Sequence, residues 1–182
     1  MSRVGRKPIA VPKNVTVQIF DNNVVEVKGP KGTLKRAFHP EVSIKLDEGV
    51  LTVERSSDSP FYKAIHGTTR ALLNNMITGV VGGFKKKLLV NEKTYKAAVN
   101  GKNIELLLGY SHPIILEIPT DLEISVDGQS ISVTGIDKEL VGAFSQKLRH
   151  FRKVDPYKAK GIIYEGERIR RKAGKTVASG AK

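Results

Sequence analysis

Shifted by 80 positions, the chain repeats its own pattern of apolar residues. Val42, Ile44, Leu46, Asp47, Leu51 and Val53 land on Leu122, Ile124, Val126, Asp127, Ile131 and Val133. At a shift of 79, Asp58 returns at Asp137, Val27 at Leu106 and Pro40 at Pro119. Apolar pattern, turns and helix cap recurring together imply a tandem duplication. A chain of 182 residues built this way must fold as two similar small units, each with a marginal core of its own.

Each copy changes period partway along. Val15, Val17 and Ile19 alternate with Thr16 and Gln18, and Val25 and Val27 with Glu26 and Lys28. After Gly29-Pro30-Lys31-Gly32 the alternation resumes at Val42, Ile44 and Leu46, turns at Asp47-Glu48-Gly49, and ends with Leu51 and Val53. The period then lengthens to that of a helix. Asp58 or Ser59 caps it, Pro60 sits in its first turn, and Phe61, Ile65, Thr69, Leu72, Met76 and Val80 form its apolar stripe up to Gly82-Gly83. In the second copy, Asn100-Gly101 and Asp127-Gly128 mark hairpins, and Leu140, Phe144, Leu148 and Phe151 form the helical stripe. The expected fold is therefore α+β: two tandem duplicated domains, each an antiparallel β-sheet with one α-helix packed on one face. Residues 1–82 form the first, with a basic arm at 1–13, and residues 83–182 the second, with a basic tail at 152–182.

Charge separates the copies. Residues 1–82 hold 12 Lys or Arg and 7 acids, residues 83–151 hold 9 and 8, and residues 152–182 hold ten and three. The tail thus carries +7 of a total of +13, which points to an anionic partner, most simply nucleic acid. Cations so crowded, with few large apolar residues among them, do not make a core. Pro156, Tyr157, Gly161 and Tyr164 interrupt the charges, giving the tail fixed direction, flat ring faces and a close backbone approach.

Other chemistries find little support. Zero cysteines exclude disulfides and thiolate sites and fit a reducing cytoplasm. No apolar run approaches the roughly 20 residues of a membrane span, and no signal-peptide core follows Met1. His39, His66, His112 and His150 are scattered, so neither a metal nor any other cofactor is expected, and no acid–base or nucleophile constellation suggests an enzyme. Gly29-Pro30-Lys31-Gly32 matches the GXXG of RNA-clamping loops in letters alone; following a strand, it reads as a tight turn. Gly109-Tyr110-Ser111-His112-Pro113 is equally a β-turn or a loop presenting Ser111 and His112 to phosphate or ribose.

Over nearly its whole length the chain resembles the bacterial-type large-subunit ribosomal protein six family. The likeness rests on Ser2 to Ile9, Val27 to Gly32, His66-Gly67-Thr68-Thr69-Arg70 to Asn75-Met76, Gly109 to Pro113, and Gly135-Ile136-Asp137-Lys138. Its most specific stretch is Pro156-Tyr157-Lys158-Ala159-Lys160-Gly161-Ile162 with Arg170-Arg171-Lys172 to Gly174-Lys175-Thr176. The resemblance implies large-subunit rRNA and neighbouring ribosomal proteins as partners. It also implies a place near the sarcin–ricin loop and the base of the factor-binding stalk, with translation factors nearby, and RNA contact mainly through the second domain. Two stretches depart from the family pattern: Ala159 stands where Gly is usual, and Asn91-Glu92-Lys93-Thr94 replaces a Gly-rich segment before Tyr95-Lys96.

The expected function is thus a non-enzymatic, cytoplasmic rRNA-binding constituent of the large subunit. The alternative is a free RNA- or DNA-binding regulator sharing the same tail; membrane binding is least supported. The RNA-binding residues are expected to be Arg149, Arg152, Lys153, Pro156, Tyr157, Lys158, Lys160, Gly161, Arg168, Arg170, Arg171, Lys172 and Lys175, with Ser111 and His112. About eight phosphate contacts would give a salt slope of roughly −6 to −7.

Overall fold

Alternation of period two puts every second side chain on one face, and the strands that result recur at the offset read from the letters. The computed structural model describes residues 4–172 and residue 174. In the first copy the strands are β1 (Ile9–Ala10), β2 (Thr16–Phe20), β3 (Val24–Gly29), β4 (Gly32–Ala37), β5 (Val42–Asp47) and β6 (Val50–Arg55), followed by α1 (Pro60–Gly82). In the second they are β7 (Phe84–Val90), β8 (Lys96–Asn100), β9 (Asn103–Leu107), β10 (Ile114–Glu117), β11 (Leu122–Asp127) and β12 (Ser130–Gly135), followed by α2 (Lys138–Phe151) and β13 (Ile162–Tyr164). β2, β5 and β6 recur as β8, β11 and β12, each displaced by 80 residues. The chain divides into two compact units: the described residues of Met1–Phe84 with Gly135–Glu139, and those of Lys85–Thr134 with Leu140–Lys182.

In each unit the strands separate into two small sheets rather than one. The first unit holds β2-β3-β4 and β1-β6-β5; the second holds β10-β9-β8 and β11-β12-β7-β13. Pro40, at the crossing from β4 to β5, has no N–H for a ladder, and the pairing changes partners there. Gly29 pairs with Gly32 around Pro30-Lys31, so the GXXG stretch is the tight turn it was expected to be. Glu48 and Gly49, both at positive φ (48° and 80°), close β5 onto β6.

The inward positions of both copies are buried. Val25, Val27, Val42, Leu51, Leu73 and Val80 are fully buried in the first unit, and Leu88, Ile104, Leu106, Ile131, Val133 and Leu148 in the second. The phase of α1 differs from the stripe read in the sequence. Thr69, Leu73, Met76, Ile77 and Val80 are buried, whereas Phe61 is 57% exposed. At about 100° per residue, Phe61 lies roughly 80° to one side of Thr69 and Ile77 roughly 80° to the other. Burial follows the Ile77 side, and Phe61 instead meets the rings of His39 and Tyr62 edge-on at 5.6 and 5.8 Å. Neither expected cap acts through its side chain: Ser59 holds the position without a side-chain bond, while Asp58 pairs with Arg55. In α2, Val141, Phe144, Ser145 and Leu148 are buried and Leu140 is exposed.

The largest correction concerns the tail. Expected to lie outside any core, its beginning is built into the second unit. β13 adds antiparallel to β7, with Ile162 opposite Val90 and Tyr164 opposite Leu88. Ile162 and Ala159 are fully buried. The apolar triplet Ile162-Ile163-Tyr164 stabilises a sheet edge that the cations around it could not cover.

Candidate nucleic-acid interface

Between α2 and β13 the chain makes a loop, Arg152 to Gly161, whose backbone is held from several sides. The Asp155 carboxylate accepts from the amides of Tyr157 and Lys158, both at 3.1 Å. Those two bonds hold its pKa below the ordinary carboxylate value. The Ala159 amide donates to the Asp155 carbonyl (2.8 Å), the Asp155 amide to the Lys160 carbonyl (3.0 Å) and the Ile162 amide to the Arg152 carbonyl (3.0 Å). At Gly161, φ is +145°, and a Cβ there would stand 2.9 Å from both the Arg152 carbonyl oxygen and the Val154 Cα. Glycine is required on both counts.

Arg152 is fixed by two rings the sequence reading did not assign to the site. Its guanidinium lies 5.7 Å from the Tyr95 ring centroid and 5.1 Å from that of Tyr110, and its Nε donates to the Tyr95 hydroxyl at 3.1 Å. The Tyr110 hydroxyl in turn donates to the Phe151 carbonyl at 2.9 Å. Bonds to Tyr110 and Tyr95 raise the pKa of Arg152 further. Tyr110, His150, Phe151, Arg152, Lys153 and Lys160 line an open groove of about 460 Å³, with Asp155 at its edge.

The two departures from the family pattern meet here. Asn91 donates through Nδ2 to the Ala159 carbonyl at 2.6 Å, and Glu92 pairs with Lys160 at 2.7 Å. The bond between them lowers the pKa of Glu92 and raises that of Lys160. Ala159 itself sits at φ +57°, the left-handed region where glycine is at ease. Asparagine thus holds the carbonyl of a residue whose backbone is under strain.

The expected site residues fall into three groups. Arg149, Arg152 and Lys160 are engaged within the unit: Arg149 pairs with Glu167 and stacks 5.4 Å from the Tyr164 centroid. Lys153, Tyr157, Lys158, Arg168, Arg170, Arg171 and Lys172 are exposed, while Pro156 is half-buried and Gly161 buried. The Pro156 carbonyl accepts from the Lys172 amide at 3.0 Å, which brings the backbone of Lys172 back to the loop. Ser111 and His112 are exposed in the turn after Gly109. Lys175 lies outside the described residues. Tyr95, Asn91 and Glu92 were missed because their partners lie 57 to 68 residues away in sequence. Tyr110 stood inside a motif already singled out, and its aromatic face was the available signal.

Chemically, the loop is a hydrogen-bonded bracket bearing exposed cations, with the groove's guanidinium already stacked. Among the described residues, no group of three or more His, Asp or Glu could hold a metal ion, and no helix is long and apolar enough to cross a membrane.

Comparison with known proteins adds to this geometry. The sequence model of the ribosomal protein L6 family matches the chain twice, over residues 11–83 and 93–165. The large ribosomal subunit protein uL6 of Persephonella marina is 54% identical over 177 residues, 97% of this chain and 99% of that protein. The proteins of the same name from Dictyoglomus turgidum and Carboxydothermus hydrogenoformans are 53% and 51% identical. They cover 96% and 100% of the chain, and 98% and 100% of their own lengths. The double match coincides with the duplication seen in the strands.

Proposed function

The chain belongs to the ribosomal protein L6 family, whose role is structural in the large ribosomal subunit, and we propose that its second unit anchors it there by gripping rRNA. The supporting observation is the bracket from Arg152 to Gly161. It carries Lys153 and Lys158 on a hydrogen-bonded backbone and bonds the Lys172 amide to the Pro156 carbonyl, with the exposed Arg168, Arg170 and Arg171 in the chain between. Cations held in a fixed row lose little entropy on meeting a phosphate backbone, and the counterions they displace drive association.

Tyr157, 55% exposed, offers a ring face to an unstacked base, and Ser111 and His112 offer polar atoms to ribose or phosphate. A-form grooves favour reading by shape and backbone, so the grip is expected to follow RNA form more than sequence. By the family resemblance the contacted RNA is near the sarcin–ricin loop and the base of the factor-binding stalk, within reach of translation factors. The protein acts as a structural, non-enzymatic part of the cytoplasmic ribosome, beside other large-subunit proteins.

The internal pairs bear on how many cations are left to meet phosphates. With Arg149, Arg152 and Lys160 already paired internally, six exposed cations remain between Lys153 and Lys172. The slope of log K against log salt should then be roughly −4 to −5, using the single-strand and duplex coefficients as brackets. Titration of salt against an rRNA fragment spanning the sarcin–ricin region measures it. A slope near zero overturns the proposal.

A further inference from the structure

The outer face of the sheet β10-β9-β8 has a character opposite to that of the tail. Residues paired across an antiparallel ladder share a face. Ile115 is opposite Glu105, Glu117 opposite Asn103, Ala98 opposite Glu105 and Lys96 opposite Leu107. One face therefore presents Ile115 (64% exposed), Leu107 (44% exposed) and Ala98, with Glu105 and Glu117 as its acids and Lys96 at one corner. Asn100 donates to Glu105 at 3.0 Å, which fixes that carboxylate beside the apolar pair without neutralising it. β10 is an edge of its sheet, and its sequence Ile114-Ile115-Leu116-Glu117 contains no cation.

The sheet β2-β3-β4 is the matching element of the first unit. Its outer face also exposes a large apolar group, Phe20, but Lys35 stands 5.1 Å over that ring. Its edge strand β4 carries Lys35 on that face, a charge of the kind that guards strand edges, while Arg36 on the other face pairs with Glu139 at 2.8 Å. In the second unit β10, at the matching place in the fold, carries neither Lys nor Arg.

We infer that the outer face and edge of β10 dock a Lys- or Arg-bearing segment of a neighbouring ribosomal protein. The partner segment lies along the edge, seats an aliphatic side chain between Leu107 and Ile115, and sets its cations on Glu105 and Glu117. Charge selects this occupant. Polyphosphate is repelled by the two carboxylates, and the same face of a second copy would oppose acid to acid. The inference rests on membership of the large subunit and is independent of where the RNA grip lies.

The test uses purified large subunits from cells whose only copy of the chain carries Ile115→p-benzoylphenylalanine, an exposed position that leaves folding intact. Irradiation followed by peptide sequencing should give one cross-linked protein segment with Lys or Arg within about two residues of the link. Adding Glu105→Lys and Glu117→Lys should lower that yield by at least about fivefold. Cross-links to rRNA or to a second copy, no cross-link, or a yield unmoved by the charge reversal would each overturn the inference. Absence of the wild-type chain from the subunits would instead break the ribosomal reading, and this inference with it.

Discussion

The two copies of the duplication have kept the same strands and spent their differences at opposite ends. In the first, β1 has two residues and α1 has 23; in the second, β7 has seven residues, α2 has 14, and β13 has been added on β7. A long helix covers the first unit by itself. The shorter helix of the second leaves room for the tail, whose Ile162 and Ala159 complete the core. The tail is therefore both a structural strand and a carrier of charge, and its cations begin from a backbone paired into a sheet.

The largest expected effect separates tail cations from those embedded in a strand. Replacing Arg170, Arg171 and Lys172 by Ala should flatten the salt slope by about two to three and weaken rRNA binding roughly a hundredfold at about 0.1 M salt. The same change at Lys85, Lys86 and Lys87 should cost less than about threefold. Lys86 already lies 4.9 Å from the Tyr164 centroid and Lys87 pairs with Glu165 at 2.7 Å. Equal losses, read by filter binding or calorimetry, would mean that the grip is not where the bracket holds it.

Next in size is a pair of glycine substitutions at positive φ, one crowded and far from the left-handed region, the other open and closer to it. Gly161→Ala puts a methyl against the backbone of Arg152 and Val154 at positive φ, and should cost about 3 kcal/mol of stability. Gly49→Ala, at φ +80° with nothing within 4 Å, should cost about 1 kcal/mol. Denaturant unfolding checks both. Similar costs would show that the loop can relax, and the bracket would then not be rigid.

Acid should touch the first unit through Asp58 and the second through Asp155 as well as Glu92. Asp58 has its pKa lowered by the bond and charge of Arg55, and Asp155 by the amides of Tyr157 and Lys158. A lowered carboxyl pKa contributes stability above the ordinary value and loses it as pH falls through the folded one. Asp58→Asn and Asp155→Asn should therefore lower Tm at neutral pH, with the gap to the parent closing below about pH 4. Melting across that range decides it; a gap independent of pH removes charge from the account. Only Asp155→Asn should also weaken rRNA binding.

How much of this was legible follows from how far apart the cooperating residues lie. The strands, their turns and the repeat were readable because alternation and turn chemistry are local. The phase of α1 was not: Phe61 and Ile77 flank Thr69 symmetrically, and only the packing of the sheet decides between them. The bracket was least legible. Ile162 pairs with Val90, Tyr95 holds Arg152, and Asn91 holds Ala159, all over long separations in sequence. The apolar triplet Ile162-Ile163-Tyr164 between two cationic runs was the one local hint that this tail enters a core.

The smallest effect tests that long-range fit most closely. Ala159→Gly removes left-handed strain of about 1 kcal/mol, but also loses a buried methyl worth about 0.8 kcal/mol and adds chain entropy to the unfolded state. Net stability should change by less than about 0.5 kcal/mol. The informative measurement is the cycle with Asn91→Ala. Losing the bond from Asn91 Nδ2 to the Ala159 carbonyl should cost about 1 kcal/mol beside the strained alanine and roughly half that beside glycine. If the two costs are equal, Asn91 is an ordinary hydrogen-bonding partner. If they differ as expected, the two departures from the family pattern are a single adjustment, with the asparagine holding in place a backbone that glycine would have adopted unaided.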